Sequence, residues 1–223
     1  LAGYRISTAF VQTDAVHETG KVYANMADPH DVHYDIVFPA AWDFIGWDSA
    51  LAQLMDKAPT RCLVFGSLSS RNGVSRETLE RMLEGNVLKV LDINLREPHY
   101  TRPHIEWLLQ HCSILKLNIA ELELISSWYQ PFTGKEEAVR ELSARFNISI
   151  IVVTMGAGGA LLFMNNACFF APGIRVEVAD TIGSGDAFLA GFLHSLLRHR
   201  APEQCLQFAN ALGALVAAYP GGC

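Results

Sequence analysis

Residues 178–193 read Val-Ala-Asp-Thr-Ile-Gly-Ser-Gly-Asp-Ala-Phe-Leu-Ala-Gly-Phe-Leu, which sets Asp180 and Asp186 on either side of a Gly-Ser-Gly turn. The turn opens a strongly apolar run that has the composition of a helix. Gly183 and Gly185 let the chain turn tightly, so that the amides of Gly183, Ser184 and Gly185 point outward at a helix N-terminus. Such a turn attracts an anion, whereas a carboxylate beside it repels one. Together they point to a site where Asp186 accepts a proton from a hydroxyl while the amides hold the group being transferred. The plainer reading, an aspartate capping a helix, accounts for one aspartate and leaves the rest of the string unexplained.

Three other stretches place polar residues where an apolar run gives way. Leu117-Asn-Ile-Ala-Glu121 carries Asn118 and Glu121, the pair expected of an N-cap and a first-turn carboxylate. Val153-Thr-Met-Gly-Ala-Gly-Gly-Ala160 carries Thr154, Gly156 and Gly159 and reads as a strand, a glycine-rich turn and a second strand. No helix follows that turn, Gly-x-Gly-x-x-Gly is missing and there is no Walker A sequence, so it is neither a dinucleotide fingerprint nor a P-loop. In Val90-Leu-Asp-Ile-Asn-Leu-Arg96, the residues Asp92, Asn94 and Arg96 would share one strand face, where polar groups are costly unless they meet a ligand or one another. Asn210, in Phe208-Ala-Asn-Ala-Leu-Gly213, is a polar residue inside an apolar helical stretch. His30 and His33 with Asp28 and Asp31 read as a charged hairpin tip, and His194 and His199 as residues bracketing a helix end.

The elements that must position these residues alternate. Apolar runs at 62–68, 87–95, 114–117 and 148–154 have the character of buried parallel strands. Helical spacing at 78–83, 105–112 and 138–146 falls between them, the last opened by a predicted capping box from Thr133 to Glu136. This order implies a mostly parallel sheet with helices on both faces. Short strands at 160–163 and 168–171 and two long apolar helices at 186–198 and 202–218, expected to be buried, complete it. Residues 21–26 and 33–38 are instead a pair of strands with no helix between them, which predicts a small β lid spanning about 21–39. No repeat or linker divides the chain, so a single domain over 1–223 is expected.

Composition narrows the partners. With 223 residues, half of them hydrophobic, the chain can bury a substantial core. A formal charge of -6 without a block of Lys or Arg argues against nucleic acid. The longest apolar stretch, 187–197, falls short of the ~20 residues that span a bilayer, so no membrane partner is expected. Five scattered cysteines fit neither a disulfide framework nor a zinc site and predict a reducing, cytoplasmic setting.

The string Asp180-Thr-Ile-Gly-Ser-Gly-Asp186 resembles the signature of the PfkB, or ribokinase-like, carbohydrate kinases, and the other junctions extend the resemblance over most of the chain from about Lys21. It implies a three-layer α/β/α fold with a β lid, and transfer of the γ-phosphoryl group of ATP to a sugar hydroxyl. Asp186 would be the base, with Gly183, Ser184 and Gly185 as the anion hole. Asn118 and Glu121 would organise magnesium (Mg2+) and the phosphates, the metal being held through water. Thr154, Gly156 and Gly159 would lie beside the nucleotide phosphates, and Asn210 would border the adenine. The resemblance places Asp92, Asn94 and Arg96 at the substrate and a monovalent cation, potassium (K+), near Asp180. Asp-x-Asn-x-Arg resembles both fructokinase-like and ketodeoxygluconate kinase-like members, whereas Phe65-Gly-Ser-Leu68 and Pro39-Ala-Ala-Trp-Asp43 resemble fructokinase-like ones, which favours fructose over a 2-keto-3-deoxygluconate or nucleoside acceptor. A sugar-sensing pseudokinase is the non-enzymatic alternative, and homodimerisation through the lid is expected. Both ends read as interior sequence: the family's first strands, with residues that grip the sugar, and a tail that completes the nucleotide pocket are expected to be missing from this chain.

Overall fold

Alternation of side chains along each strand decides the architecture. The computed structural model describes residues 2–4, 6–25, 33–57 and 62–221. Strands β1 (Val22–Asn25) and β2 (His33–Ile36) pair antiparallel, Val22 opposite Ile36, as a two-stranded sheet of their own. The strand pair expected here is therefore present, although residues 26–32, with Asp28, His30 and Asp31, lie outside the described residues. Helix α1 (Ser49–Lys57), unanticipated in the sequence, leads into the body.

The body runs β3 (Cys62–Gly66), α2 (Gly73–Leu83), β4 (Leu88–Asp92), α3 (Arg102–Gln110), β5 (Ile114–Asn118), α4 (Ile119–Ser127), α5 (Lys135–Phe146), β6 (Ile150–Thr154), β7 (Ala160–Met164), β8 (Ala167–Ala171), α6 (Ser184–Leu196) and α7 (Pro202–Ala217). The six strands from β3 to β8 lie in sequence order, with β3 to β6 parallel and β7 and β8 antiparallel additions. Parallel neighbours need a helical crossover, whereas β7 and β8 are joined by Asn165 and Asn166, both left-handed (φ 52° and 61°), as a tight hairpin requires. Among the described residues no helix is long and apolar enough to cross a membrane.

Leu91, Leu115, Leu117, Ile151 and Val153 point to one face, where they pack with α2 to α5 through Leu79, Leu108, Leu122 and Val139. Their neighbours Val90, Ile114 and Val152 point to the other, under Phe188 and Phe192 of α6 and Leu206 of α7. Three layers result, the ribokinase-like α/β/α arrangement. By the same period of two, Asp92 and Lys116 fall on the α6 face, directly opposite each other in the register of β4 and β5.

Three local expectations need correction. Strand β4 ends at Asp92, and Asn94 is left-handed (φ 42°), so Asp92, Asn94 and Arg96 do not share a strand face. The Ser67 hydroxyl donates to the Asn94 carbonyl at 3.2 Å and holds that bend. The Thr133–Glu136 capping box does not form, because α5 begins at Lys135 with Gly134 as its N-cap. Finally, α6 and α7 are not fully buried, since Phe208 and Leu215 of α7 are exposed.

Candidate active site

Gly183 is the N-cap of α6, and its left-handed conformation (φ 78°) is one that a glycine adopts without strain. The Ser184 hydroxyl donates to the Thr181 carbonyl at 2.7 Å, and the Ile182 amide donates to Asp180 Oδ1 at 3.0 Å, so both flanks of the turn are pinned. Asp186 stands in the first turn of α6, exposed, and its carboxylate accepts no hydrogen bond among the described residues. It does not cap the helix, which removes the plainer reading of this residue.

Beneath the turn lies a residue that sequence reasoning missed. The Lys116 ammonium donates to both oxygens of Asp92, at 2.9 and 3.0 Å, with both side chains largely buried. A Cβ at position 185 would come within 3.2 Å of Lys116 Nζ, so glycine there lets the charge approach the backbone of the turn. Burial pushes the Asp92 carboxyl above the usual carboxylate range; Lys116 pulls it back, and the charge of Asp186 pushes it up again. The signal was present in Ile114-Leu-Lys-Leu117: a lysine inside a buried strand needs a carboxylate opposite it.

Asn118 and Glu121 form a full capping box at the start of α4. The Glu121 amide donates to Asn118 Oδ1 at 2.9 Å, and the Asn118 amide donates to Glu121 Oε2 at 2.8 Å. The other carboxylate oxygen of Glu121 accepts from the Leu95 amide at 2.8 Å, which ties the loop carrying Asn94 and Arg96 to this helix end. Burial raises the Glu121 carboxyl, opposed by those two amides and by Lys116. Thr154 is paired with Asn118 in the register of β5 and β6, so it ends on the same sheet edge.

A cleft of about 600 Å³ opens beside the turn, lined by Thr154, Gly156, Gly159, Ser184, Gly185 and Asn210 together with Ile174, Val176 and Phe188. Asn210 donates from Nδ2 to the carbonyls of Ala171 and Pro172, at 3.2 and 3.1 Å, fixing one wall of the cleft to the end of β8. The structure thus gathers the turn, the glycine-rich loop and Asn210 on one cavity. Asp92 and Glu121 lie within one electrostatic environment around Lys116. Asp180, half-buried, flanks the turn, and its amide donates to the Ala217 carbonyl at 3.3 Å. Asn94 and Arg96 are exposed on the loop beyond β4.

A mostly parallel sheet between two helical layers, with a glycine turn and a free carboxylate at one helix start, is the framework of a carbohydrate kinase domain. The chain belongs to the pfkB family of carbohydrate kinases, whose model matches residues 1–223. It is 27% identical over 171 residues to a fructokinase of Klebsiella pneumoniae, covering 72% of this chain and 54% of that protein. It is 30% identical over 155 residues to the aminoimidazole riboside kinase of Salmonella typhimurium, covering 65% and 47%. The chain thus spans about half the length of these two curated relatives. In fold it matches the fructokinase of Vibrio cholerae O395 solved with fructose, ADP and calcium ion, with a TM-score of 0.80, 24% identity, and coverage of 100% of this chain and 74% of that one.

Proposed function

We propose that the protein is an ATP-dependent sugar kinase that transfers the γ-phosphoryl group to a sugar hydroxyl, with fructose the acceptor. The observation that carries this reading is the unengaged Asp186 carboxylate in the first turn of α6, beside amides that line a cleft of nucleotide size and above the charge of Lys116. In the reaction the hydroxyl oxygen bonds to the γ-phosphorus and its proton passes to Asp186. The bond from that phosphorus to the bridging oxygen breaks, its electron pair leaving with ADP.

The chain's own groups divide the work. Amides of Gly183, Ser184 and Gly185 and the Lys116 ammonium hold the charge of the transferred group. Thr154, Gly156 and Gly159 border the phosphates, and Asn210 holds the wall against which the base would lie. No three His, Cys, Asp or Glu side chains among the described residues gather around one point. A magnesium ion would therefore be carried mainly by phosphate oxygens and water, with Asn118 and Glu121 behind the water, which is how that cation is usually bound in nucleotide sites. When bound, it would neutralise phosphate charge. Asp180 is the residue beside which a potassium ion would sit. Asp92, Asn94 and Arg96 serve the acceptor side, Asp92 acting through Lys116, and the strand pair β1–β2 acts as the lid and as the surface of a homodimer in the cytoplasm.

Fructose is favoured by the fructokinases among the relatives, and a nucleoside-type acceptor by the aminoimidazole riboside kinase. The deciding experiment is ADP release by the purified protein against ketoses, aldoses, sugar acids and nucleosides, with and without magnesium. Release that depends on fructose and on magnesium supports the proposal. Release with none of the acceptors would favour a sugar sensor.

A further inference from the structure

A second pocket, of about 360 Å³, shares no lining residue with the cleft and is bounded by Phe38, Arg71, Arg76, His99, Tyr100, Thr101 and His104. Its charge is only partly spoken for. Arg71 pairs side-on with Asp43 through Nε and Nη2, at 2.7 and 2.8 Å, which turns Nη1 away from that carboxylate and leaves it without a hydrogen bond. Arg76 donates from Nε to the Ser70 carbonyl at 2.9 Å, and its two terminal nitrogens have no hydrogen bond among the described residues. Bracing one carbonyl uses one donor. The remaining fork is the group that grips carboxylate or phosphate with two parallel hydrogen bonds.

The surroundings are built to hold that fork in place. Ser70 Oγ pairs with His104 Nε2 at 2.8 Å, and the Thr101 hydroxyl accepts from the His104 amide at the N-terminus of α3. Burial and the charge of Arg76 lower the pKa of His104 to about 4, so this imidazole is neutral and braces Ser70 without adding charge. His99 lies half-buried on the wall, its ring 6.3 Å from that of Phe38. Opposing charge is limited: Asp43 is committed to Arg71, and exposed Glu97 accepts from the Tyr100 hydroxyl at 3.3 Å.

We propose that this pocket is a second ligand site, which takes the phosphate or carboxylate of a small organic anion on the Arg76 fork with its carbon skeleton against Phe38 and Tyr100. The anionic group has two sources to separate: a phosphorylated acceptor taken in place of fructose, such as fructose 1-phosphate, an assignment that rests on the kinase reading, or a separate effector.

The test that does not depend on turnover is NMR of the His99 imidazole Cε1–H during titration of the full chain with inorganic phosphate. A saturable shift is expected, weakened about tenfold or more in Arg76→Met. No shift, or the same shift in Arg76→Met, overturns the site. Should Arg76→Met fail to fold, Arg76→Lys keeps the charge and loses the fork, and an undiminished affinity in that variant overturns it equally. Kinetics then separate the sources. If the group belongs to the acceptor, Arg76→Met raises KM for fructose 1-phosphate about tenfold and leaves KM for fructose alone. If it belongs to an effector, inorganic phosphate alters fructose phosphorylation in the wild type and not in the variant. Absence of turnover with every acceptor would sink the kinase reading, while the His99 titration would still decide the site.

Discussion

Asp186→Asn keeps the shape of the side chain and loses its ability to take a proton. General-base assistance is worth about 10²–10⁴ in rate, so turnover should fall by that factor with nucleotide affinity little changed. Because the carboxylate makes no hydrogen bond among the described residues, thermal stability should move by no more than about 0.5 kcal/mol, as for other exposed substitutions. Near-normal turnover in steady-state assays would remove Asp186 from the mechanism. Lys116→Met acts differently, because it strands Asp92 as a buried carboxylate without its partner. That should cost roughly 3 kcal/mol in urea unfolding, and Asp92→Asn in the same chain should restore a good part of it. Equal stability of the single and double variants would mean that the pair is solvated. The glycine turn at the start of α6, with Asp186 in the first turn, was legible in the sequence because a glycine string at a helix start has a local meaning. Lys116 was not, because its meaning depends on a residue 24 positions earlier that only the strand register brings opposite it.

Elements meet through two buried polar clusters. Arg71 and Asp43, with side chains 3% and 0% exposed, join the turn after β3 to the segment that follows β2, and Arg71 Nη2 also donates to the Val37 carbonyl at 2.8 Å. Arg71→Met leaves a fully buried carboxylate, which should destabilise the protein by about 3–5 kcal/mol in denaturant titration. A loss below 1 kcal/mol would show the latch to be dispensable. His104 joins α3 to the same turn, and its pKa of about 4 lies below the ordinary 6.5, so between these values the unfolded chain binds more protons than the folded one. Stability from this group is therefore complete above about pH 6.5 and is lost progressively as pH falls towards 4. His104→Gln should flatten that slope in thermal melts taken across the window, and an unchanged slope would assign it to other groups. Element boundaries were less legible than element types for physical reasons. Asn94 tolerates a left-handed bend that ends β4 early, and Gly134 displaced Thr133 as a helix cap. Neither competition shows in hydrophobic periodicity.

At the scale of the whole molecule, the order of strands and helices from β3 onward was legible because apolar runs and helical spacing alternate, and each parallel pair demands its crossover, whereas α1 before it was not. The strand pair β1–β2 stands outside that logic. It joins no strand of the six-stranded sheet, Ile36 is buried, and Val22 and Tyr23 are exposed. Its return is closed by the Val37 amide donating to the Lys21 carbonyl at 3.0 Å, and Arg71 holds Val37 from the body side, so the pair is anchored at its base. A lid anchored in this way would cover the acceptor and exclude water, which otherwise competes for the phosphoryl group. Replacing residues 22–36 by a short glycine-serine linker keeps the Arg71–Asp43 latch and removes the cover. ATP hydrolysis should then rise relative to sugar phosphorylation, measured as ADP released per sugar phosphate formed. The exposed apolar side chains of the pair would also leave with it, so a homodimer built on them should become a monomer in analytical ultracentrifugation. The two readouts answer different questions: an unchanged ratio would refute the cover, whereas an unchanged sedimentation coefficient per unit mass would place any dimer contact elsewhere on the surface.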